Sequence, residues 1–451
     1  MHLPMTKDET FLRELGDGLV LRRATMEDTD ALVDFNARIH SEEGPDLLNE
    51  MAAEWTRDLM IRPHPAFHFS DFTIVEDAHT QKIVSSMNLF SQTWTYAGIP
   101  FGVGQPELVG TLPDYRNRGL VRAQFDVVHQ WSKERGQMMQ VISGVPYFYR
   151  QFGYEMALSM YGGRTGYLPQ IPVLKDGEQE PYSLRPALEE DLPFIMQLYQ
   201  QACQRSLVSC VRDEAAWLFE LNGKSSRNIS RAELRVIESK DGEKVGLLAH
   251  SIYRWGPAMG AFFYEIKPGI SWLAVTPSVI RYLKAAGETL KPEVGNEEFG
   301  AFAFSMGTEH PVYQVLPDRL VREWKPYAWY LRVPDLTGFL HHIAPALEKR
   351  LAESPLVGHT GELKITFYRD GLRLVFEKGG LSKVESWKPV PVGHAGDTAF
   401  PGLSFLQLLF GYRSLDELKA TFPDCWWETN DARALLDILF PKRYSNVWPV
   451  I

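Results

Sequence analysis

The sequence predicts an α/β (α+β) chain of three domains, the first two built as related copies. Three observations lead there. The segment LRRATMEDTDAL at Leu21 returns as LRPALEEDLPFI at Leu184, with Leu21/Leu184, Arg22/Arg185, Ala24/Ala187, Glu27/Glu190 and Asp28/Asp191 in register. Between the copies lies GYLPQIPVLKDGEQEP, whose Pro, Gly and charge mark a linker. From about Leu331 a third segment carries GELKITFYRDGLRLVFEKG, where apolar and polar residues alternate on both sides of Asp370-Gly371, a hairpin signal. The expected domains are therefore 1-170, 171-330 and 331-451, the last of them α+β.

Each copy opens in the same way: a short strand, an acidic helix start, then an amphipathic helix. Carboxylates in the first turn suit the positive end of the helix dipole. Two further landmarks repeat. TLP at Pro113 matches VTP at Pro277, and VISGVPYFYRQFGY around Tyr149 matches FSMGTEHPVYQVLP around Tyr313. In the third segment, GFLHHIAPALEKRLAE, LSFLQLLFGY and DARALLDILF read as helices around the hairpin.

The 451 residues suffice for several cores, and 45% hydrophobic with 23% charged residues is ordinary for a soluble globular protein. No apolar run has the length of a membrane span, and the first residues lack the apolar stretch of a signal peptide. Cys203, Cys210 and Cys425 are sparse, odd in number and without metal-ligand spacing, as in a cytoplasmic protein with reduced thiols. No cluster suggests a metal. The net charge of -10 argues against nucleic acid and suits a small cationic ligand.

The chemistry concentrates in VGTLPDYRNRGLVRAQFDVVHQWSKERG. A strand through Val109, Gly110 and Thr111 stops at Pro113, and a helix is expected from Gly119 to a stop at Gly136, with Val121, Phe125 and Val128 on one face. Free amides at a helix start, the dipole and close approach at a glycine favour an anion. Arg116, Arg118 and Arg122 add positive charge, and together with Asn117, Gly119, Leu120 and Val121 they suit a pyrophosphate. The alternative is a plain helix start with surface arginines. A second strand, QVISG, follows, then Gly144, Val145 and the aromatic cluster Tyr147, Phe148, Tyr149 and Phe152.

Arg116-Asn-Arg-Gly119-Leu-Val121 resembles the Q/R-x-x-G-x-G/A loop of the GCN5-related N-acetyltransferases (GNAT), with Val121 where that family has Gly or Ala. FYRQFGYE resembles their distal element, where a tyrosine stands near the coenzyme sulfur. The whole chain is similar to the Eis-like (enhanced intracellular survival) branch. That branch has a catalytic GNAT domain, a degenerate second GNAT-like copy and a sterol-carrier-protein-like C-terminal domain; it often carries three arginines before the glycine, where Asn117 is the middle residue here.

The resemblance implies acetyl-coenzyme A as co-substrate, no metal, and transfer of acetyl to a primary amine of a cationic acceptor such as an aminoglycoside, a polyamine or a lysine. It also implies a homo-oligomer, trimer or hexamer. Backbone at Val109, Gly110, Thr111, Gly144 and Val145 would flank the pantetheine arm. After Pro277 the second copy reads SVIRYLKAAG without an Arg-x-x-Gly loop, so one site per chain is expected.

Tyr149 is the expected general acid, because a phenol of pKa ~10 is well matched to a thiolate of pKa ~8.5. Tyr147 and Tyr154 compete for that role. The resemblance assigns the general base to the C-terminal carboxylate, here Ile451, and the apolar tail SNVWPVI agrees with a buried terminus. Glu42, Glu43, His40 and His68 are lesser candidates. Two other readings remain: a lipid or small-molecule binding protein using a groove of the third domain, and a scaffold that recruits a protein.

Overall fold

In the computed structural model of the chain, residues 10–41, 48–389 and 396–451 are described. Glu42 and Glu43 fall outside them. The first copy contributes β1 (Phe11–Gly16), β2 (Leu19–Arg23), β3 (Phe72–Asp77), β4 (Lys82–Tyr96), β5 (Ile99–Thr111), β6 (Met139–Ile142) and β7 (Glu155–Met160). Its helices are α1 (Thr29–Ile39), α2 (Glu50–Ile61) and α3 (Leu120–Glu134). Long strands β4 and β5 form a hairpin through Ala97 and Gly98, both at positive φ, as a two-residue turn demands. Helix α3 lays Leu120, Phe125, Val128 and Trp131 into the core.

The repeated residues at the start of each copy have a structural purpose. Arg22 of β2 bridges Asp28 at 2.7 Å and Glu76 of β3, while Asp28 also accepts from the Thr25 amide. In the second copy Arg185 bridges Asp191 at 2.7 Å and Glu238 at 2.9 Å, and Asp191 accepts from the Leu188 amide. Each arginine thus staples a helix start to two strands.

The two copies exchange strands. Gly163–Tyr167 follows β7 in sequence yet pairs with Ala301–Phe304 in the second sheet. In return, Tyr327–Arg332 leaves the second copy and lies between β6 and β7. The first sheet runs β1-β2-β3-β4-β5-β6, then Tyr327–Arg332, then β7, with Val208–Cys210 added at the far end of β4. The second runs through Arg322–Trp324, Gly163–Tyr167, Ala301–Phe304, Ala258–Ile266, Lys244–Ser251, Ala232–Ser239 and Tyr182–Pro186.

The third unit is a sheet of Gly361–Thr366, Gly371–Glu377 and Gly380–Trp387 with two short strands, covered by helices that include Leu336–His342 and Asn430–Leu439. Its core is continuous with the far end of the first sheet: Tyr96, Phe101, Phe339 and Phe410 share one cluster, and the Tyr96 hydroxyl donates to the Leu409 carbonyl at 2.9 Å. The hairpin turn differs from the Asp370-Gly371 expectation. The loop is Phe367–Asp370, with Tyr368 at positive φ, and Gly371 already pairs with Thr366. Pro277 is also not the counterpart of Pro113. Pro113 opens a 3₁₀ turn before α3, whereas Pro277 lies within the helix Trp272–Thr289.

Candidate active site

The arginine–glycine turn leads into α3, with Gly119 at the helix start. Gly119 caps α3 at φ +78, a conformation that glycine adopts without penalty, and Asn117 is also left-handed at φ +61. Gly119 offers no side chain to the helix start, and the first intrahelical bond runs from the Ala123 amide to the Gly119 carbonyl. The amides of Leu120, Val121 and Arg122 therefore face outward without intrahelical acceptors. Arg116, Asn117, Arg118, Gly119 and Arg122 are exposed. Arg118 pairs with Asp17 at 3.0 Å, Arg116 donates to the Thr111 carbonyl, and Arg122 donates to Gln151.

Beside this helix end the sheet opens. Parallel strands β5 and β6 pair only at Val103↔Met139 and Gly104↔Gln140. Past those rungs, among the described residues, the β5 edge through Val109, Gly110 and Thr111 has no strand on the β6 side. Leu108 at φ +50 marks a bulge that interrupts β4–β5 pairing between Ser86↔Gly110 and Asn88↔Glu107. Gly110 is required there, since a Cβ would stand 2.7 Å from Ile39 Cγ2. On the opposite side, Gly144 (φ +116) and Val145 form an exposed turn after β6.

Tyr149 is buried in the 3₁₀ turn Phe148–Phe152, which packs on α3 through Phe125 and Phe152, stacked at 4.3 Å. Its hydroxyl lies under Gly144, 3.7 Å from where a Cβ would stand, and makes no hydrogen bond among the described residues. Burial first, then the charge of Glu107, pushes its pKa well above the usual phenol value. The competing tyrosines are committed elsewhere. Tyr154 bonds His129 at 2.9 Å, and Tyr147 is 73% exposed.

Glu107 carries no sequence motif and is not among the residues expected from the sequence. It is held at the bulge, where its amide donates to Asn88 and its carboxylate accepts from Gln105 at 2.8 Å. Enclosure pushes its pKa up to about 7. The only hint in the sequence is an acid beside Pro106 in a largely apolar strand.

A cleft of about 810 Å³ runs from Glu107 and Ser143 to the second copy, and Ile451 lines it. A smaller one of about 470 Å³, which His40 lines, shares Trp55 and Glu107 with it. The tail arrives between the two copies. Trp448 packs 5.5 Å from Trp217, Val450 donates to Gln92, and a main-chain oxygen of Ile451 accepts from the Ser230 hydroxyl at 3.3 Å. Burial lowers the pKa of His40 to about 4, and exposed His68 bonds Ser70. Among the described residues no group of His, Cys, Asp and Glu is arranged to hold a metal, and no helix is long and apolar enough to cross a membrane.

In the second copy the same elements are closed. Ser271 caps the helix Trp272–Thr289 through its side chain, accepting from Ala274. Strands Ala258–Ile266 and Ala301–Phe304 stay paired over four rungs. Tyr313, the partner of Tyr149 in the repeat, donates to Phe304 and accepts from Met306.

Residues 21–157 match the family model described as an acetyltransferase (GNAT) domain. That match lies within the first copy of this chain. The chain's mixed α/β fold is shared with solved structures over nearly the whole length. A GCN5-related N-acetyltransferase from Anabaena variabilis ATCC 29413 is 16% identical with a TM-score of 0.62, covering 95% of this chain and 99% of that one. A protein from Enterococcus faecalis V583, described as a probable N-acyltransferase, is 12% identical with a TM-score of 0.62, covering 95% and 97%. Eis1 from Mycobacterium abscessus is 12% identical with a TM-score of 0.57, covering 96% and 99%. No curated protein matches the sequence. The GNAT domain implies acetyl-coenzyme A as co-substrate and an acceptor that receives the acyl group.

Proposed function

We propose that the chain is an Eis-like N-acetyltransferase, with one GNAT site in residues 1-170, a degenerate copy in 171-330 and a sterol-carrier-protein-like domain in 331-451. It moves acetyl from acetyl-coenzyme A to a primary amine of a cationic acceptor by direct attack in a ternary complex. The observation that carries this reading is the pairing of an uncapped, glycine-opened helix end with a parted β5–β6 edge, next to a tyrosine with an unengaged hydroxyl. The second copy keeps none of the three.

The amides of Leu120, Val121 and Arg122, with Arg116, Asn117 and Arg118, hold the diphosphate. Backbone of Val109, Gly110 and Thr111 receives the pantetheine arm as an added strand, and Gly144 and Val145 flank it. An amide of this edge donates to the thioester oxygen as negative charge develops there. The carboxylate of Ile451 takes the proton that the amine loses on forming the C–N bond. Tyr149 donates its proton to the sulfur as the C–S bond breaks; its raised pKa keeps it protonated but widens the mismatch with the thiolate beyond that of an ordinary phenol. One specific observation favours a second reading for the base: Glu107, with a pKa near 7, lines the same cleft.

In this proposal the protein works in the cytoplasm as a homo-oligomer. The test is thiol release from acetyl-coenzyme A over a panel of kanamycin, spermidine and Nα-acetyl-lysine. Tyr149→Phe is expected to lower kcat about 10²-fold while leaving coenzyme affinity nearly unchanged. Full activity of that variant removes Tyr149 as the acid. A coenzyme that binds with no acceptor among the three overturns the cationic-amine assignment.

A further inference from the structure

A carboxylate at a chain end is a poor base unless something fixes it, since terminal residues fray when nothing ties them down. Here the second copy grips the tail. Arg212, wholly buried, donates to the carbonyls of Trp448 and Pro449 (3.2 and 2.9 Å) and lies 4.4 Å over the Trp448 ring. Its charge is matched by Glu220, which Lys224 also bonds at 3.0 Å. These contacts set how far the tail extends. Arg212 reaches as far as Pro449, two residues short of the end, and Ser230 of the same copy donates to a main-chain oxygen of Ile451.

The last residue meets the first copy at His64, in the loop after α2. Nδ1 of His64 accepts from the Ala66 amide at 3.0 Å, which places the ring proton on Nε2. The ring is wedged 4.2 Å from Phe219 and 5.3 Å from Phe90. Burial, then Lys224 and Arg212, lowers its pKa to about 3, so it stays neutral. Nε2 is buried and completes no hydrogen bond among the described residues, and Ile451 packs on the cluster that holds Phe90, which the His64 ring touches. A buried N–H left without an acceptor costs about 1–3 kcal/mol. Ile451 packs on this same face of the first copy, and one of its main-chain oxygens already accepts from Ser230.

We propose that His64 is a positioning residue whose Nε2–H donates to the C-terminal carboxylate of Ile451 and aims it into the cleft, with Arg212 setting the register of the tail. This rests on the reading of that carboxylate as the base. It gives the degenerate copy a purpose, because the base is held in register by a buried cation that only this copy supplies.

The test uses the full chain and the same three amines, with kcat and acetyl-coenzyme A affinity measured separately. His64→Phe is expected to lower kcat 10–100-fold, the scale for removing a group that orients a catalytic ligand. Coenzyme affinity should stay within about twofold, because no coenzyme contact is altered. His64→Gln, whose amide N–H reaches the place of Nε2–H, should recover most of kcat, and the shorter His64→Asn should not. Full kcat in His64→Phe, or equal failure of Gln and Asn, overturns the proposal. If His64→Phe does not fold, the Gln and Asn pair decides it alone.

Adding one glycine after Ile451 separates the two levels. Unchanged turnover in the extended chain defeats the terminal-carboxylate reading and this inference with it. Lost turnover there, with an unaffected His64→Phe, defeats this inference only. Should none of the three amines be acetylated, both fall.

Discussion

Replacing Glu107 by glutamine isolates the cost of holding a carboxylate in the cleft wall. The group's pKa rises from 4.5 to about 7 on folding, chiefly through enclosure. The folded chain therefore binds this proton more tightly than the unfolded chain, so stability is full below pH 4.5 and falls as pH rises through about 7. At about 1.4 kcal/mol per unit, the ionised group costs at most about 3 kcal/mol at high pH. About 2 kcal/mol of that develops between about pH 5.5 and 8.5, and roughly half should survive the water that reaches the cleft wall.

In the Glu107→Gln variant the new amide still accepts from Gln105 but carries no charge. Urea denaturation followed by tryptophan fluorescence should find Glu107→Gln more stable than the parent by about 1 kcal/mol more at about pH 8.5 than at about pH 5.5. A difference that is flat with pH, or that shrinks as pH rises, refutes the claim that enclosure governs this carboxyl.

Two further outcomes follow from the same geometry. Arg22→Met leaves Asp28 and Glu76 uncompensated in a buried setting and should cost about 3 kcal/mol, whereas Arg185→Met removes a more exposed arginine and leaves Asp191 paired with Lys244, so it should cost about 1 kcal/mol; denaturation midpoints rank the pair. Gly119→Ala should cost about 1–2 kcal/mol from its left-handed backbone alone, since a Cβ there meets nothing within 4 Å; the same denaturation measurement checks it.

Much of the site was legible because its residues are local in sequence. The strand through Thr111, the turn and Gly119 at the start of α3 follow one another, so sequence order and spatial order coincide. Tyr149 stands out through the aromatic run after β6, although its unengaged hydroxyl needed the structure. The repeated Leu-Arg-x-Ala-x-x-Glu-Asp pattern reads as a helix start, and the structure adds that Arg22 and Arg185 staple strands as well.

What could not be read depends on distant chain segments. Tyr327–Arg332 completes the first sheet from the far side of the second copy, and no local pattern names its neighbours β6 and β7. Glu107 gains its properties from Gln105, Asn88 and a bulge at Leu108, so its type and spacing say little. Pro277 misleads because TLP and VTP share only a threonine and a proline, which serve equally in a turn and inside a helix. The Asp370-Gly371 signal locates the hairpin but not its loop, which Tyr368 closes in a left-handed conformation.

Coenzyme binding in this proposal depends most on the helix end at Gly119. Calorimetric titration of acetyl-coenzyme A into the full chain, and into the triple variant Arg116→Ala, Arg118→Ala, Arg122→Ala, tests it directly. Losing three charge-assisted contacts of about 1 kcal/mol each predicts affinity about 10²-fold weaker in the triple variant, with wild-type binding that declines as salt is raised. No binding to the parent chain, or equal binding to both, contradicts the account.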